Sequence, residues 1–173
     1  MKSTIIKIAA IFLFSPFSQA QTQSDEWNLV ANSRDNYSGV AMANGQIGIV
    51  TDATPLKTKE IILNGVYDGS PENGISRIVR GIEFLNLRLV INGEEVTASN
   101  IDKWEQVVAM KEGTSTTSFR FKDIAAIEYT ILANRALPFS AMAIVKITPL
   151  KDIDVTAANY MTVPEELKQA KRQ

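Results

Sequence analysis

The sequence predicts an all-β domain, a two-sheet antiparallel β-sandwich with a short C-terminal helix. Between Trp27 and Tyr160, strand-like runs follow one another with turn signals at roughly ten-residue spacing, and no amphipathic stretch favours a central helix. Several runs alternate apolar and polar residues with period two, the pattern of strands that bury one face and wet the other. After Tyr160 the character changes to that of a helix start.

The chain opens with Lys2 and Lys7 around and ahead of the apolar run Ile8 to Phe14, then Ser18-Gln19-Ala20, a small-x-small cleavage site. Residues 1–20 therefore read as a secretory signal, with Gln21 first in the mature chain. The run is shorter than the ~20 residues a membrane-spanning helix needs. The polar stretch Gln19 to Asp25 argues against the alternative of an uncleaved anchor. The remainder divides into a sandwich over 25–160 and the start of a helix over 162–173.

Two early segments, Ala43-Asn44-Gly45-Gln46-Ile47-Gly48-Ile49-Val50 and Ile62-Leu63-Asn64-Gly65-Val66-Tyr67-Asp68-Gly69, each set an Asn-Gly turn beside a β-rich run. In Glu83 to Ile91, residues Leu85, Leu87, Leu89 and Ile91 share one face, with Asn86 and Arg88 on the wetter one. Asn92-Gly93 then supplies a tight hairpin that pairs this run with Glu95-Val96-Thr97. Phe119 and Phe121, and then Ile127, Tyr129 and Ile131, mark two further half-buried strands. The run Phe139 to Ile147 is apolar on both faces for most of its length, as in a central strand covered on both sides. Thr162-Val163-Pro164-Glu165 has the form of a capping box with Pro in the first turn, and Glu165 and Glu166 precede Lys168, Lys171 and Arg172 as the helix dipole prefers. The alternative is a frayed terminal helix.

Lys2 and Lys7 fall in the leader, so 16 of the 18 basic residues and all 19 acidic ones remain, a net charge of −3. A mildly acidic chain without a basic cluster fits neither nucleic acid nor, once the signal is removed, an anionic membrane. The chain has no Cys and no His. That removes disulfides, a lipid anchor on cysteine, Ser-His and Cys-His nucleophiles and the common zinc sites, so we expect no metal and no cofactor. Carboxylate, lysine, tyrosine and hydroxyl chemistry remain.

Three residues are candidates for substrate binding. Asp68 can accept hydrogen bonds from sugar hydroxyls, and the ring of Tyr67 beside it can cover an apolar sugar face. The competing reading has Tyr67 capping the core and Asp68 closing its own turn. Trp104 is either a sugar platform or a partly buried core residue. Gly45-Gln46-Ile47-Gly48 lacks the lysine and helix of a phosphate cradle. The adjacent pairs Glu94-Glu95 and Glu165-Glu166 cannot supply, across a substrate, the roughly 6.5 to 9.5 Å separation that inverting glycosidases hold between two carboxyls. No catalytic residue is assigned.

The order of these segments resembles the N-terminal domain of glycoside hydrolase family 65, whose members carry a "GNG-x-x-G-x-R" segment followed by a "GVYD"-like loop. Leu87 to Glu95 is similar to the family's strand-hairpin element, and Trp104 to Gly113 to its "L-D-M-x-x-G" run. Ser118-Phe119-Arg120-Phe121, Asn134-Arg135 and Ile144 to Pro149 follow in the same order. Ile49-Val50-Thr51 stands where the family has an Arg, and Val108-Ala109 where it has Leu-Asp. The resemblance implies a supersandwich of the galactose-mutarotase-like type, joined through a helical linker to a barrel that cleaves or phosphorolyses α-glucosides (maltose, kojibiose) and holds the catalytic acid. The expected function is then that of the β-sandwich module of an exported enzyme, inactive alone and partnered by its catalytic barrel and α-linked sugars. The alternatives are a free-standing secreted carbohydrate-binding module and an interaction module without ligand.

Overall fold

A computed structural model of the protein describes residues 26–67 and 76–168. The strands are β1 (Asn28–Ala31), β2 (Ala41–Ala43), β3 (Ile47–Thr51), β4 (Thr58–Tyr67), β5 (Ile78–Arg80), β6 (Glu83–Ile91), β7 (Glu94–Glu95), β8 (Ile101–Ala109), β9 (Thr114–Phe121), β10 (Ala125–Ala133), β11 (Ala141–Pro149) and β12 (Val155–Thr162). A single helical turn, α1 (Glu165–Lys168), closes the described residues.

All pairings are antiparallel. They form a five-stranded sheet ordered β1-β8-β9-β10-β11, a four-stranded sheet β2-β3-β4-β5 and a three-stranded sheet β12-β6-β7. The two smaller sheets abut where β4 meets β6, with the Leu87 amide donating to the Leu56 carbonyl at 2.9 Å. Together they face the five-stranded sheet, so three hydrogen-bonded sheets make one two-layered sandwich. Ile47 and Ile49 of β3, Ile61 of β4, Leu85, Leu89 and Ile91 of β6, Phe119 and Phe121 of β9 and Ile127, Tyr129 and Ile131 of β10 meet in a single core. The period-two alternation over β9 and β10 is realised residue by residue. Asn92 and Gly93 both adopt positive φ and deliver the predicted hairpin, in which Ile91 registers with Glu94 and Val90 with Glu95.

Two polar clusters fasten the sheets to one another. The side-chain oxygen of Gln106, on β8, accepts from the hydroxyls of Tyr37 and Thr51, and its Nε2 donates to Thr117 Oγ1 at 2.8 Å. Thr51 Oγ1 in turn accepts from the Val40 amide. Gly39, just before it, has φ +92°, and a Cβ there would stand 2.5 Å from the Thr51 carbonyl oxygen, so this approach admits only glycine. Burial raises the Tyr37 phenol above its ordinary pKa, despite its hydrogen bonds to Thr51, Val40 and Gln106. Tyr129, raised by burial too, donates to the Leu85 carbonyl across the sandwich at 2.7 Å. Both phenols therefore stay neutral donors in the native state, and the stability this contributes is full below the unfolded phenol pKa and lost as pH rises through the native one.

The second cluster corrects the placement of Asn86. It lies not on a wet face but 1% exposed, accepting from the Thr58 amide and hydroxyl and donating to Glu83 and to Thr162 Oγ1. All of its hydrogen-bonding capacity is used, which is what permits an amide to be buried. The partner that covers it is β12, about seventy residues away in sequence and beyond the reach of a local pattern. Thr162 is accordingly the last residue of β12, and the helical turn begins after Pro164.

Another expectation is overturned. The run predicted as a central strand becomes β11, an edge, pairing with β10 alone among the described residues. Ala141, Ala143, Val145 and Ile147 pack on the core, while Met142 and Ile144 point outward and are exposed. An apolar outer face reads the same in sequence whether or not a neighbour covers it.

Replacing Gln106 with Leu preserves its volume but leaves the Tyr37, Thr51 and Thr117 hydroxyls without their shared partner. At about 1–3 kcal/mol for each buried group left unsatisfied, we expect a loss of about 3 kcal/mol and a Tm lower by about 10 °C, measured by thermal circular dichroism. A change below about 1 kcal/mol would show that the cluster does not hold the layers.

Candidate functional site

The two Asn-Gly segments fold against each other at one end of the sandwich. Asn44 Oδ1 accepts from the amides of Gln46 and Ile47, both at 2.9 Å, and Gly45 takes φ +93°, closing the β2–β3 hairpin. Asn64-Gly65 does not end its run in a turn but forms an interruption inside β4. The β4–β5 register shifts between Ile62 and Tyr67, and Gly65 supplies φ +80°. The interruption turns Asn64 toward the first segment: its amide donates to the Gln46 carbonyl at 2.8 Å and its Nδ2 to the Gly45 carbonyl at 3.0 Å.

A third segment joins them. Asn44 Nδ2 donates to the Asn134 carbonyl, Asn134 Oδ1 accepts from the Ala136 amide, and the Asn134 amide donates to the Ser140 carbonyl. The loop from Asn134 to Ser140 is thus pinned at its root. Pro138 restricts Leu137 to extended backbone, and the next residue, Phe139, is held at φ +61° with its ring 57% exposed. A left-handed aromatic is strained by about 1–2 kcal/mol, and here the loop holds it at the rim of an apolar groove of about 390 Å³ lined by Leu63, Val66, Ile82, Phe84 and Leu167.

Of the sequence candidates, the structure places Tyr67 and Trp104 apart. Tyr67 ends β4 and is 55% exposed, beside a smaller depression lined by Gly45, Gln46, Gly48 and Ile78. Asp68 lies outside the described residues. Trp104 is elsewhere, on β8, only 7% exposed, with its ring edge-on to Tyr37 at 5.4 Å between centroids. A break in the β8–β9 register between Asp102 and Glu105, with Lys103 at φ +51°, turns Trp104 inward, and its Nε1 has no protein partner among the described residues. It belongs to the core beneath the Gln106 cluster. Sequence reasoning missed Asn44 as the tie between three segments and Phe139 as an exposed anchor, since neither a carboxamide's distant partner nor a positive φ at an aromatic leaves a local signal.

Chemically, this end offers rings, aliphatic surface and backbone carbonyls. It carries no described acid poised for glycoside cleavage. The Glu94 carboxyl, on the far hairpin, is held below its usual range by hydrogen bonds from Lys122 and Asn100, opposite to the upward shift a general acid requires. The arrangement suits contact with another surface or with a sugar.

The sequence matches the Glycosyl hydrolase family 65, N-terminal domain, over residues 24–171. The chain belongs to this family. As its N-terminal domain, it is 37% identical over 169 residues to the "Kojibiose hydrolase" of Flavobacterium johnsoniae and 35% identical over 170 residues to that of Mucilaginibacter mallensis. The alignments cover 96% and 97% of this chain but 25% of each relative, so the family 65 domain described here spans a quarter of their length. A solved protein assigned as a kojibiose phosphorylase from human microbiome shares the fold, with a TM-score of 0.62 and 14% identity over 76% of this chain and 21% of that one.

Asn44→Ala removes the one side-chain oxygen that accepts both turn amides, together with the bond to the Asn134 loop, and should cost about 2 kcal/mol. Asn64→Ala removes one exposed bond and should cost under about 1 kcal/mol. Hydrogen exchange at the Ala136 and Ser140 amides should quicken in the first variant alone; equal effects from the two would contradict the assigned roles.

Proposed function

We propose that this domain is the N-terminal module of an exported enzyme that hydrolyses kojibiose, and that it docks a catalytic domain and borders the sugar site without cleaving the bond itself. The observation that carries this reading is the pinned end, where Phe139, Leu137, Val66 and Tyr67 are exposed around a loop hydrogen-bonded at its root. Monomeric proteins rarely leave contiguous apolar surface of this kind bare. Hydrolysis is favoured over phosphorolysis because the two relatives above one-third identity are named hydrolases. In this reading residues 1–20 are the export signal, 25–160 the sandwich and 162–173 the beginning of a linker toward the catalytic part. Tyr67, with Asp68 after it, is the contact proposed to reach the sugar.

A free-standing sugar-binding module is the second reading, and the exposed Tyr67 ring beside its small depression is what favours it. Calorimetric titration of the 173-residue chain with kojibiose separates the two: millimolar or tighter binding by the isolated chain, lost in Tyr67→Ala, supports the second.

For the first reading, we expect the isolated chain to release no glucose from kojibiose. Added to the Flavobacterium johnsoniae hydrolase lacking its matching quarter, it should restore hydrolysis. Phe139→Asp should lower that restored rate at least tenfold while the variant's own Tm falls by less than about 3 °C. Turnover by the chain alone would sink the claim. Export has its own check: mass spectrometry of the protein secreted from a bacterial host should find Gln21 as the first residue, and an intact Met1 in the membrane fraction would refute the signal.

A further inference from the structure

The core runs out at β12 in a way that specifies the shape of what completes it. On antiparallel neighbours, directly opposed residues point to the same face. Val155 registers with Ile91 and Ala157 with Leu89; Ile91 and Leu89 are buried to 0% and 2% exposure, yet Val155 is 42% exposed and Ala157 is exposed as well. These two side chains face the core side of the sandwich with no described strand opposite them. In the other layer β11 is the last strand, it lies across from β6, and its outer backbone edge is unpaired among the described residues. The position next to β11 is therefore the one that would lie over β12.

We propose that the β11 edge and the overhanging face of β12 form a slot for one extended strand, supplied by the part of the parent enzyme that lies beyond the quarter shared with the curated relatives. This rests on the reading of the chain as a module of a longer enzyme. The incoming strand pairs its backbone with β11 and sets alternate apolar side chains on Val155 and Ala157, the mode of strand addition to an open sheet edge. A second copy of this chain does not fit. If its β11 paired here, its own β6, which lies beneath that β11, would occupy the place already held by β12. The slot admits a strand only where no second layer comes with it.

Co-expression of the 173-residue chain with the Flavobacterium johnsoniae hydrolase lacking its matching quarter, followed by hydrogen exchange and mass spectrometry, tests this. We expect a one-to-one complex in which exchange over Ala141–Pro149 slows at least tenfold relative to the chain alone. The double variant Val155→Lys, Ala157→Asp changes exposed residues, so its own Tm should stay within about 3 °C, while its complex weakens at least tenfold. A complex that leaves β11 exchange unchanged and tolerates the double variant overturns the slot and leaves the module reading standing. Absence of any complex overturns the module reading and the slot with it. Self-association of the chain alone with β11 protected would also overturn the assigned occupant.

Discussion

A carboxamide sealed between two sheets restricts the fold more tightly than the apolar core around it. Gln106 must find acceptor and donor partners at once, and it finds them on three separate pieces of chain: Tyr37 in the loop before β2, Thr51 at the end of β3 and Thr117 on β9. Apolar contacts tolerate sliding by fractions of a side chain, whereas a buried amide that loses one partner bears its desolvation cost uncompensated. The register of β8 follows from this. The break at Lys103 places Trp104 and Gln106 on the inner face together, and with β8 fixed, β9, β10 and β11 take their places in turn.

The same requirement explains which features were legible in the sequence. Alternation over β9 and β10 and the Asn92-Gly93 hairpin are local and came through intact, because period-two burial and positive φ are properties of adjacent residues. Asn86 and β11 were misread for complementary reasons. Asn86 looks wet because it is polar, but Thr58, Glu83 and Thr162 satisfy it from positions up to 76 residues away. The outer face of β11 looks covered because Met142 and Ile144 are apolar, but no described element lies on it. In both cases the residue type reports the environment it is adapted to, and only the fold reveals whether that environment is intramolecular.

At the pinned end, the sequence signalled the family more sharply than the chemistry. Asn44-Gly45 and Asn64-Gly65 look alike, yet one closes a hairpin and the other breaks a strand, and their shared purpose emerges only when Asn64 reaches the Gly45 carbonyl. The tie to the Asn134 loop spans ninety residues. Through it, the position of Phe139 depends on a hairpin early in the chain. Strain at Phe139 is tolerable because the loop root is hydrogen-bonded at Asn134 and Ser140 and cannot relax by itself.

The exposed strands also bear on what the proposed partner could cover. A nine-residue apolar edge is an aggregation hazard unless something blunts it. On β11 the outward row Met142, Ile144 is followed by Lys146, which sits beside Glu128 of β10 at 3.1 Å. Stacking another sheet flat on this face would bury that pair, and desolvating two charges costs more than their exposed attraction returns. Adding a strand at the edge leaves both in water while satisfying the backbone and covering Val155 and Ala157. Under the proposed strand addition, one surface ion pair of little worth to stability would act on selectivity, favouring the edge of the sheet over its face.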